Sequence, residues 1–237
     1  TGIFGKWHLG DNYPVVLFLS DNGGAGESRY DAGLRGGKSS VYEGGIRVPC
    51  FVQWPAGLRG GRTIDRIAAN VNLMPTLLDL AGVSLPQGRD LDGVSLRPLL
   101  TGGISANEWP ERRLFIQCHR GLEPKRYQNF AAISQRYKLI GHPGTFGRED
   151  LDTTSQPPRL ELYDLTADGG EKHDLSSRQT GPAADLLQEY ERWFDRVAAS
   201  RNFAPGVIFI GSDAEARVHL SRYQDGGYPG GIGTGWM

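Results

Sequence analysis

A short apolar segment that ends in a polar, glycine-rich turn constrains the fold of this chain more than any other feature. Residues 15–19 read Val-Val-Leu-Phe-Leu and run directly into Ser-Asp-Asn-Gly-Gly at residues 20–24. An apolar run without polar alternation is typical of a strand buried in a parallel sheet, and ligands bind beyond the carboxyl ends of such strands. We therefore predict a buried parallel strand over residues 15–19, followed directly by functional side chains.

Further strand and helix patterns follow in the first half of the chain. Residues 48–54 have the pattern of a second buried parallel strand, closed by Pro-Ala-Gly at residues 55–57. Residues 72–82 have the features of a short helix, with Pro in the first turn and Gly after the last turn. Strands followed by helices favour an α/β layer architecture, which we predict for residues 1–108.

The second half of the chain, residues 109–237, has a different pattern. Four short apolar segments separated by turn residues predict the strands of an antiparallel meander, at residues 114–117, 130–133, 137–140 and 161–165. Six apolar residues then recur at helical spacing, namely Leu186, Leu187, Tyr190, Trp193, Phe194 and Val197. They predict a helix whose apolar stripe covers the sheet. We predict a small subdomain of antiparallel sheet and helix that ends in a Gly-rich tail.

Charge and apolar run length argue against two classes of partner. The 26 basic and 27 acidic residues nearly balance, so the formal net charge is −1 and no electrostatic footprint for nucleic acid or an anionic membrane is present. The longest apolar run, residues 15–19, is far shorter than the roughly 20 residues of a membrane-spanning helix. We predict no nucleic-acid partner and no membrane span. Two cysteines are too few for a disulfide framework.

Four motifs occur within the first fifty residues. They are Gly-Lys-Trp-His-Leu-Gly at residues 5–10, Ser-Asp-Asn-Gly-Gly at residues 20–24, Leu-Arg-Gly-Gly-Lys at residues 34–38 and Glu-Gly-Gly-Ile-Arg-Val-Pro at residues 43–49. In order and spacing they resemble the motifs of the arylsulfatase-like sulfatase family, which belongs to the alkaline phosphatase superfamily. The resemblance covers nearly all of the chain. It implies a partial alkaline-phosphatase-like α/β sheet with helices, followed by the small antiparallel subdomain.

Two side chains that carry oxygen, Asp21 and Asn22, follow the predicted strand. Oxygen-only ligands suit a hard cation such as Ca²⁺. An Asx-turn that merely ends the strand is the ordinary interpretation of Asp-Asn-Gly taken alone. The strand and the flanking motifs favour the metal site, and the resemblance implies that Asp21 and Asn22 are two of the calcium ligands. The paired aspartates that complete the site in the family are absent from this sequence, so the calcium site of this chain is expected to be incomplete.

Three basic side chains are candidates for catalysis and for sulfate binding. Lys6 and His8 alternate along an extended segment and therefore face the same way. The resemblance implies that Lys6 contacts the sulfate and the formylglycine nucleophile, that His8 hydrogen-bonds the hydrated aldehyde, and that Lys38 is a second sulfate-binding and catalytic lysine. A surface Lys beside a packed His is the ordinary interpretation of Lys-x-His alone, but six consecutive matching residues make this motif specific.

A lysine suits the role given to Lys38, because a compact charge can stabilise sulfate oxygens whose negative charge grows as the S–O bond breaks. The glycine-rich loop around it lets the backbone approach closely. We interpret the neighbouring Arg35 and Arg47 as structural residues that pair with carboxylates such as Glu43.

The nucleophile of the family is absent from this sequence. No Cys is followed two residues later by Pro, so no residue can be oxidised to formylglycine. Ser-Leu-Pro-Gln-Gly-Arg at residues 84–89 mimics the nucleophile signature, Cys or Ser-x-Pro-x-Arg, but its Arg comes one residue late and we reject it. By the resemblance, Val15 begins a strand that comes much later in the family, so we expect a deletion junction near Pro14 and Val15.

The short link at this junction predicts the geometry around it. Parallel strands need a crossover of a dozen or more residues, whereas only residues 10–14 separate the first motif from Val15. We therefore predict that Lys6 and His8 are displaced from a cleft that the other site residues share. Residues 1–7 are then antiparallel, on a sheet edge or detached.

The sequence thus predicts a sulfatase, a sulfuric ester hydrolase that cleaves sulfate esters by a formylglycine mechanism in the intact protein, and a fragment that is inactive as this chain. The alternatives are a phosphoester or phosphonate hydrolase of the same superfamily and a non-catalytic remnant that binds a sulfated glycan. The expected partner is a sulfated small molecule or glycan. The localisation is unknown from this chain; members of the family that it resembles are usually exported, as periplasmic, secreted or lysosomal proteins.

Overall fold

The computed structural model of the protein describes residues 2–3, 15–25, 30, 32–85, 88, 91–118, 125–142 and 159–200. In this part of the chain, seven strands form two sheets, accompanied by four α-helices. The chain is therefore of mixed α/β class, as predicted.

The first sheet has the strand order β1–β2–β3. Its strands are β1 at Gly2–Ile3, β2 at Val16–Leu19 and β3 at Cys50–Gln53. Both neighbouring pairs are antiparallel, and Phe18 of β2 lies opposite Phe51 of β3. Strand β1 therefore pairs antiparallel on an edge of the sheet, which is one of the arrangements predicted for residues 1–7.

The predicted parallel direction and full burial are wrong for both β2 and β3, since the two strands pair antiparallel and Phe51 of β3 is 65% exposed. Val16 and Phe18 are 43% and 49% exposed, whereas Leu17 and Leu19 on the opposite face are half-buried. This alternation is typical of an antiparallel sheet with one face more open to solvent than the other. The sequence does not reveal it, because both faces of β2 carry apolar side chains and the hydrophobic pattern therefore has no period of two.

Three short helices precede the second sheet along the chain. They are α1 at Glu43–Ile46, α2 at Leu73–Leu80 and α3 at Arg97–Thr101. Helix α2 follows a single 3₁₀ turn at Asn70–Asn72 and confirms the helix predicted over residues 72–82. Pro75 lies in its first turn, and Gly82 follows its end with a φ of 68°, a left-handed conformation that often terminates helices.

The second sheet confirms the predicted antiparallel meander. Its strands are β4 at Leu114–Gln117, β5 at Phe130–Ile133, β6 at Tyr137–His142 and β7 at Arg159–Asp164. They pair in sequence order, and each neighbouring pair is antiparallel. Helix α4 follows at Thr180–Ser200. Within the described residues, no helix combines the length and the apolar character that crossing a lipid bilayer requires.

The predicted apolar stripe of α4 covers one face of the second sheet. Leu186 and Tyr190 are buried against a cluster that includes Phe130 and Leu139. The rings of Phe130 and Tyr190 stack with their centroids 3.8 Å apart. This stacking fixes the middle of α4 over strands β5 and β6.

The opposite face of the second sheet packs against the segment that precedes α1. Val41 is 1% exposed and belongs to a cluster with Ala131, Ile140 and Tyr163 of the sheet. Ile46 of α1 packs at the margin of the same cluster. The second sheet therefore supports the part of the chain that carries the sequence motifs.

Candidate functional site

The turn that follows β2 carries the two predicted metal ligands. Ser20 Oγ donates a hydrogen bond to the backbone carbonyl of Asn22 at 2.8 Å. Such a bond between a hydroxyl and the nearby backbone tightens a turn. Asp21, which is exposed, and Asn22, which is half-buried, both lie directly beyond the end of the strand, as predicted from the sequence.

Gly23 joins this turn to helix α1. Its backbone N–H donates a hydrogen bond to the carbonyl of Gly45 at 2.9 Å. A Cβ atom at position 23 would lie 1.8 Å from the carbonyl oxygen of Gly44, which no real Cβ contact allows. Glycine is required here because the turn and the helix touch through their backbones.

The loop that carries Lys38 is joined to the same two segments. The N–H of Lys38 donates to the carbonyl of Gly24 at 2.9 Å, and the N–H of Gly44 donates to the carbonyl of Arg35 at 2.7 Å. The three segments at residues 20–24, 34–38 and 43–46 therefore form one set of loops held by backbone hydrogen bonds, here named the motif layer. Lys38 is half-buried within it.

The motif layer brings together three of the five predicted site residues, Asp21, Asn22 and Lys38. Lys6 and His8 lie outside the described residues. Among the residues that the structure describes, no three His, Cys, Asp or Glu side chains are arranged to hold a metal ion. The oxygens of Asp21 and Asn22 fit a hard cation in kind, and they supply two of the roughly six to eight that Ca²⁺ takes.

A buried ionic cluster ties the motif layer to the second sheet. The ammonium of Lys138 on β6 lies 2.9 Å from Oε1 of Glu43 and 2.8 Å from Oε1 of Glu171. All three residues are buried, Lys138 and Glu171 completely. Oε2 of Glu171 also accepts a hydrogen bond from the backbone N–H of Glu43 at 2.7 Å. The first residue of α1 is therefore held by both partners from the C-terminal part of the chain.

Burial and pairing have opposite effects on the two carboxylates of this cluster. Burial alone would raise the pKa of Glu43, but the charges of Lys138 and Arg47 outweigh it and hold that pKa below its usual value. For Glu171, burial outweighs the attraction of Lys138 and raises the pKa of the carboxyl group. The cluster therefore contains one firmly ionised carboxylate and one that takes up a proton more readily.

A second network lies beside the first and contains Arg35. The guanidinium carbon of Arg35 lies 3.9 Å from the centre of the Tyr42 ring, and Nη1 donates a hydrogen bond to the Tyr163 hydroxyl at 2.6 Å. Both tyrosine hydroxyls donate to Glu161 at 2.7 Å. Burial and the Glu161 carboxylate raise the pKa of both hydroxyls. The network thus fastens the Arg35 loop to strand β7.

The two arginines have the structural role predicted for them. Nε of Arg47 lies 2.5 Å from Oε2 of Glu43, four positions earlier in the chain. Nη1 of Arg35 lies 3.4 Å from Oε2 of Glu161, so its carboxylate partner comes from the second sheet.

Sequence patterns do not identify Lys138, Glu161 and Glu171, because their partners lie far away along the chain. Glu43 and Lys138 are 95 positions apart. One signal is nevertheless present, since Lys138 and Glu161 stand inside apolar strand segments. Charged side chains are almost never fully buried unless they are paired. A charge in such a segment therefore predicts a buried partner of opposite sign.

Comparison with known proteins points to one family. A family model described as N-sulphoglucosamine sulphohydrolase, C-terminal, matches residues 36–192. Arylsulfatase A of Homo sapiens is 32% identical over 223 residues, which cover 86% of this chain and 42% of that protein. Steryl-sulfatase of Mus musculus is 33% identical over 183 residues, which cover 68% of this chain and 29% of that protein. The chain therefore spans well under half the length of these relatives.

A solved structure supports the same fold. The crystal structure of Ps i-CgsB in complex with k-i-k-neocarrahexaose matches with a TM-score of 0.58 and 27% sequence identity, covering 76% of this chain and 36% of that chain.

Proposed function

Because this chain belongs to the sulfatase family, we propose that it provides part of the site at which a sulfate ester is hydrolysed. The activity is a proposal for the whole protein, since the chain spans 42% of human arylsulfatase A. The observation that carries it is the pair of backbone hydrogen bonds, Gly23 to Gly45 and Lys38 to Gly24, that join the loops bearing the candidate residues.

Lys38 is proposed to bind the sulfate group. Its half-buried position in a loop docked through its own backbone N–H supports this role, because the anchored backbone limits where the ammonium can reach. An ammonium held near the ester favours the negative charge that grows on the sulfate oxygens during S–O cleavage. Lys6 and His8 are proposed, from the first motif, to contact the sulfate and the nucleophile.

Asp21 and Asn22 are proposed to be two ligands of a Ca²⁺ ion. A bound Ca²⁺ would supply positive charge to the sulfate oxygens and fix their orientation. The exposed carboxylate of Asp21 and the neighbouring Asn22, held in a turn docked on α1, support a ligand pair at this strand end. The remaining ligands and the formylglycine nucleophile are not encoded in this sequence.

The substrate is proposed to be a sulfated small molecule or glycan. The complex of Ps i-CgsB with k-i-k-neocarrahexaose supports the glycan. Recognition of one sulfate ester group needs a local lysine rather than a broad basic surface, which agrees with the near-neutral charge of the chain.

Binding of 4-nitrophenyl sulfate to the full chain in the presence of Ca²⁺, measured by calorimetry, tests this function. We expect saturable binding that Lys38→Ala weakens by about tenfold, the loss of one charge-assisted contact. Lys172→Ala removes an exposed lysine and serves as the matched control, for which the affinity should be unchanged.

Two results would contradict the proposal. Affinity for 4-nitrophenyl phosphate above that for the sulfate would indicate a phosphoester hydrolase of the same superfamily. Equal affinity of the wild type and Lys38→Ala for 4-nitrophenyl sulfate would show that Lys38 does not bind the sulfate group.

A further inference from the structure

A cavity of about 350 Å³ opens beside the turn between β5 and β6. Three segments of the chain line it, contributing Arg66, Ile67, Asn107, Trp109, Pro110, Glu111, Arg112 and Gln135. None of these residues belongs to the motif layer. The volume lies at the lower end of the range of ligand sites, roughly 300–1,000 Å³. The cavity therefore suits a small ligand.

Two donors in the cavity wall have no acceptor. Nε1 of Trp109 and Nη1 of Arg112 are buried from solvent, and neither has a hydrogen-bond partner within the described residues. A buried donor left unpaired costs about 1–3 kcal/mol, and more when it is charged. Because Trp109 and Arg112 both line the cavity, an occupant with acceptor oxygens that reached these two donors would satisfy them.

Arg112 also differs from its neighbour in its charge partners. Arg113 is paired with Glu111 at 2.6 Å and with Glu189 at 2.7 Å. No carboxylate in the described part of the chain pairs with Arg112, and burial lowers the pKa of its guanidinium. A partly buried guanidinium without a counter-charge creates a local positive potential.

The other polar groups of the wall leave this potential positive. Nη2 of Arg66 lies 3.4 Å from Oδ1 of Asn107, a neutral partner. The one carboxylate of the wall, Glu111, is already held by Arg113. Gln135 is fixed at both ends, since its Oε1 accepts from the N–H of Ile67 at 3.1 Å and its Nε2 donates to the carbonyl of Asp65 at 2.7 Å.

We propose that this cavity is a binding site for an oxyanion, a sulfate or carboxylate group, held by Arg112, Trp109 and Arg66. The planar guanidinium of Arg112 presents parallel N–H groups that match two oxygens of such an anion. The indole N–H of Trp109 supplies a third donor, and Arg66 supplies a second positive charge. The site goes beyond the proposed hydrolysis, because it contains none of the residues assigned to that reaction.

Titration of the full chain with sodium sulfate and with sodium acetate, at constant ionic strength set with chloride, tests the site by calorimetry. We expect one anion to bind with a saturable isotherm that Arg112→Gln weakens about tenfold, the value of a charged hydrogen-bonded pair. Arg59→Gln removes an exposed arginine and the same charge, and it should leave the affinity unchanged. Trp109→Phe keeps the ring, loses the N–H and should weaken binding about threefold to tenfold.

The two anions distinguish the sources of the oxyanion. Tighter binding of sulfate identifies a sulfate group as the ligand, whereas tighter binding of acetate identifies a carboxylate. Arg112→Lys, which keeps the charge without the planar fork, should fold even if the glutamine variant does not, and it should bind more weakly than the wild type.

Three outcomes would overturn the site. They are the absence of saturable binding of either anion, equal affinity in the wild type and both Arg112 variants, and binding that Lys38→Ala abolishes while the Arg112 variants retain it. The last outcome would assign the anion to the motif layer. Failure of the Lys38 experiment, in contrast, leaves the Arg112 result unaffected, so the two proposals fail separately.

Discussion

The ammonium of Lys138 lies 2.9 Å from a carboxylate oxygen of Glu43, although 95 positions of the chain separate the two residues. Lys138 lies on strand β6 of the second sheet and Glu43 is the first residue of α1, so the pair joins this sheet to the helix. Since Gly44 and Gly45 of that helix bind the loops of Arg35 and Gly23, the order of the motif layer depends on a side chain outside all four sequence motifs.

Replacing Lys138 should destabilise the protein strongly. Lys138→Met leaves the buried carboxylates of Glu43 and Glu171 without their shared cation, and we expect the free energy of unfolding to fall by about 3–5 kcal/mol. Urea denaturation measures this change. Lys172→Met, at an exposed position, should change stability by less than about 0.5 kcal/mol. A loss for Lys138→Met below about 1 kcal/mol would show that the pair contributes little.

Glu43 should make the protein less stable in acid. The folded state holds the pKa of Glu43 below that of the unfolded chain, so the folded state releases this proton more readily. The stabilisation is present above the unfolded pKa of about 4.3 and is lost as the pH falls through the lower folded pKa. The loss of unfolding free energy caused by Glu43→Gln, relative to the wild type, should therefore grow as the pH rises from about 3 to 6.

Glu171 should act with the opposite sign. Its folded pKa is raised, so its contribution is present below the unfolded pKa of about 4.3 and is lost as the pH rises through the folded pKa. Over the same pH series, the unfolding free energy of Glu171→Gln should rise relative to that of the wild type as the pH increases. Parallel pH profiles for Glu43→Gln and Glu171→Gln would contradict the assignment of opposite shifts to the two carboxylates.

A methyl group at Gly23 should separate the first turn from α1. The added Cβ would stand 1.8 Å from the Gly44 carbonyl oxygen, and we expect Gly23→Ala to cost about 1–3 kcal/mol through overpacking. Gly60→Ala is the matched control, because nothing lies within 4 Å of a Cβ at that position. Thermal unfolding followed by circular dichroism compares them. Equal melting temperatures for the two variants would mean that the turn moves without penalty.

The chain by itself should not hydrolyse aryl sulfates above background. Covalent catalysis requires the nucleophile, and no Cys in this sequence is followed two residues later by Pro. Release of 4-nitrophenol from 4-nitrophenyl sulfate, with and without Ca²⁺, provides the measurement. Turnover that disappears in Lys38→Ala would refute this expectation and would require a different nucleophile within the chain.

Calcium should bind the chain weakly. Asp21 and Asn22 supply two side-chain oxygens where Ca²⁺ takes roughly six to eight. Calorimetric titration of CaCl₂ into the full chain should therefore give no site of micromolar affinity. A micromolar site that Asp21→Ala removes, while Asp185→Ala at an exposed helix position does not, would show that other groups complete the coordination.

Local patterns were sufficient for the fold of the described residues from 114 to 200, while the predicted Gly-rich tail lies outside the described residues. Turn residues between the short apolar segments predicted strands β4 to β7, and the spacing of Leu186 and Tyr190 predicted helix α4 with its buried face. These features depend on neighbours within a few positions, and the meander pairs each strand with the next one along the chain. The predicted fold therefore agrees with the structure there.

The direction of β2 and the ionic cluster could not be predicted in this way. The direction of a strand depends on the strand that pairs with it, and Phe18 pairs with Phe51, which lies beyond helix α1 along the chain. The apolar run of β2 is compatible with either direction. Likewise, Lys138 meets Glu171 only once β6 and the segment after β7 are both in place. The motifs were enough to name Asp21, Asn22 and Lys38 as candidates. The residues that anchor their loops to the second sheet lie outside the motifs and could not be identified from them.

The ribosome synthesises the motif layer before it synthesises the residue that anchors this layer to the second sheet. Its anchor, the hydrogen bond from the Glu43 N–H to Glu171, spans 128 positions. At roughly 5–20 residues per second, translation of that span takes about 6–26 s. During this interval the loops of Asp21 and Lys38 exist without the sheet that holds them. A pause in translation before residue 171 would prolong the time in which apolar strand β2 is open to chaperones or to other nascent chains.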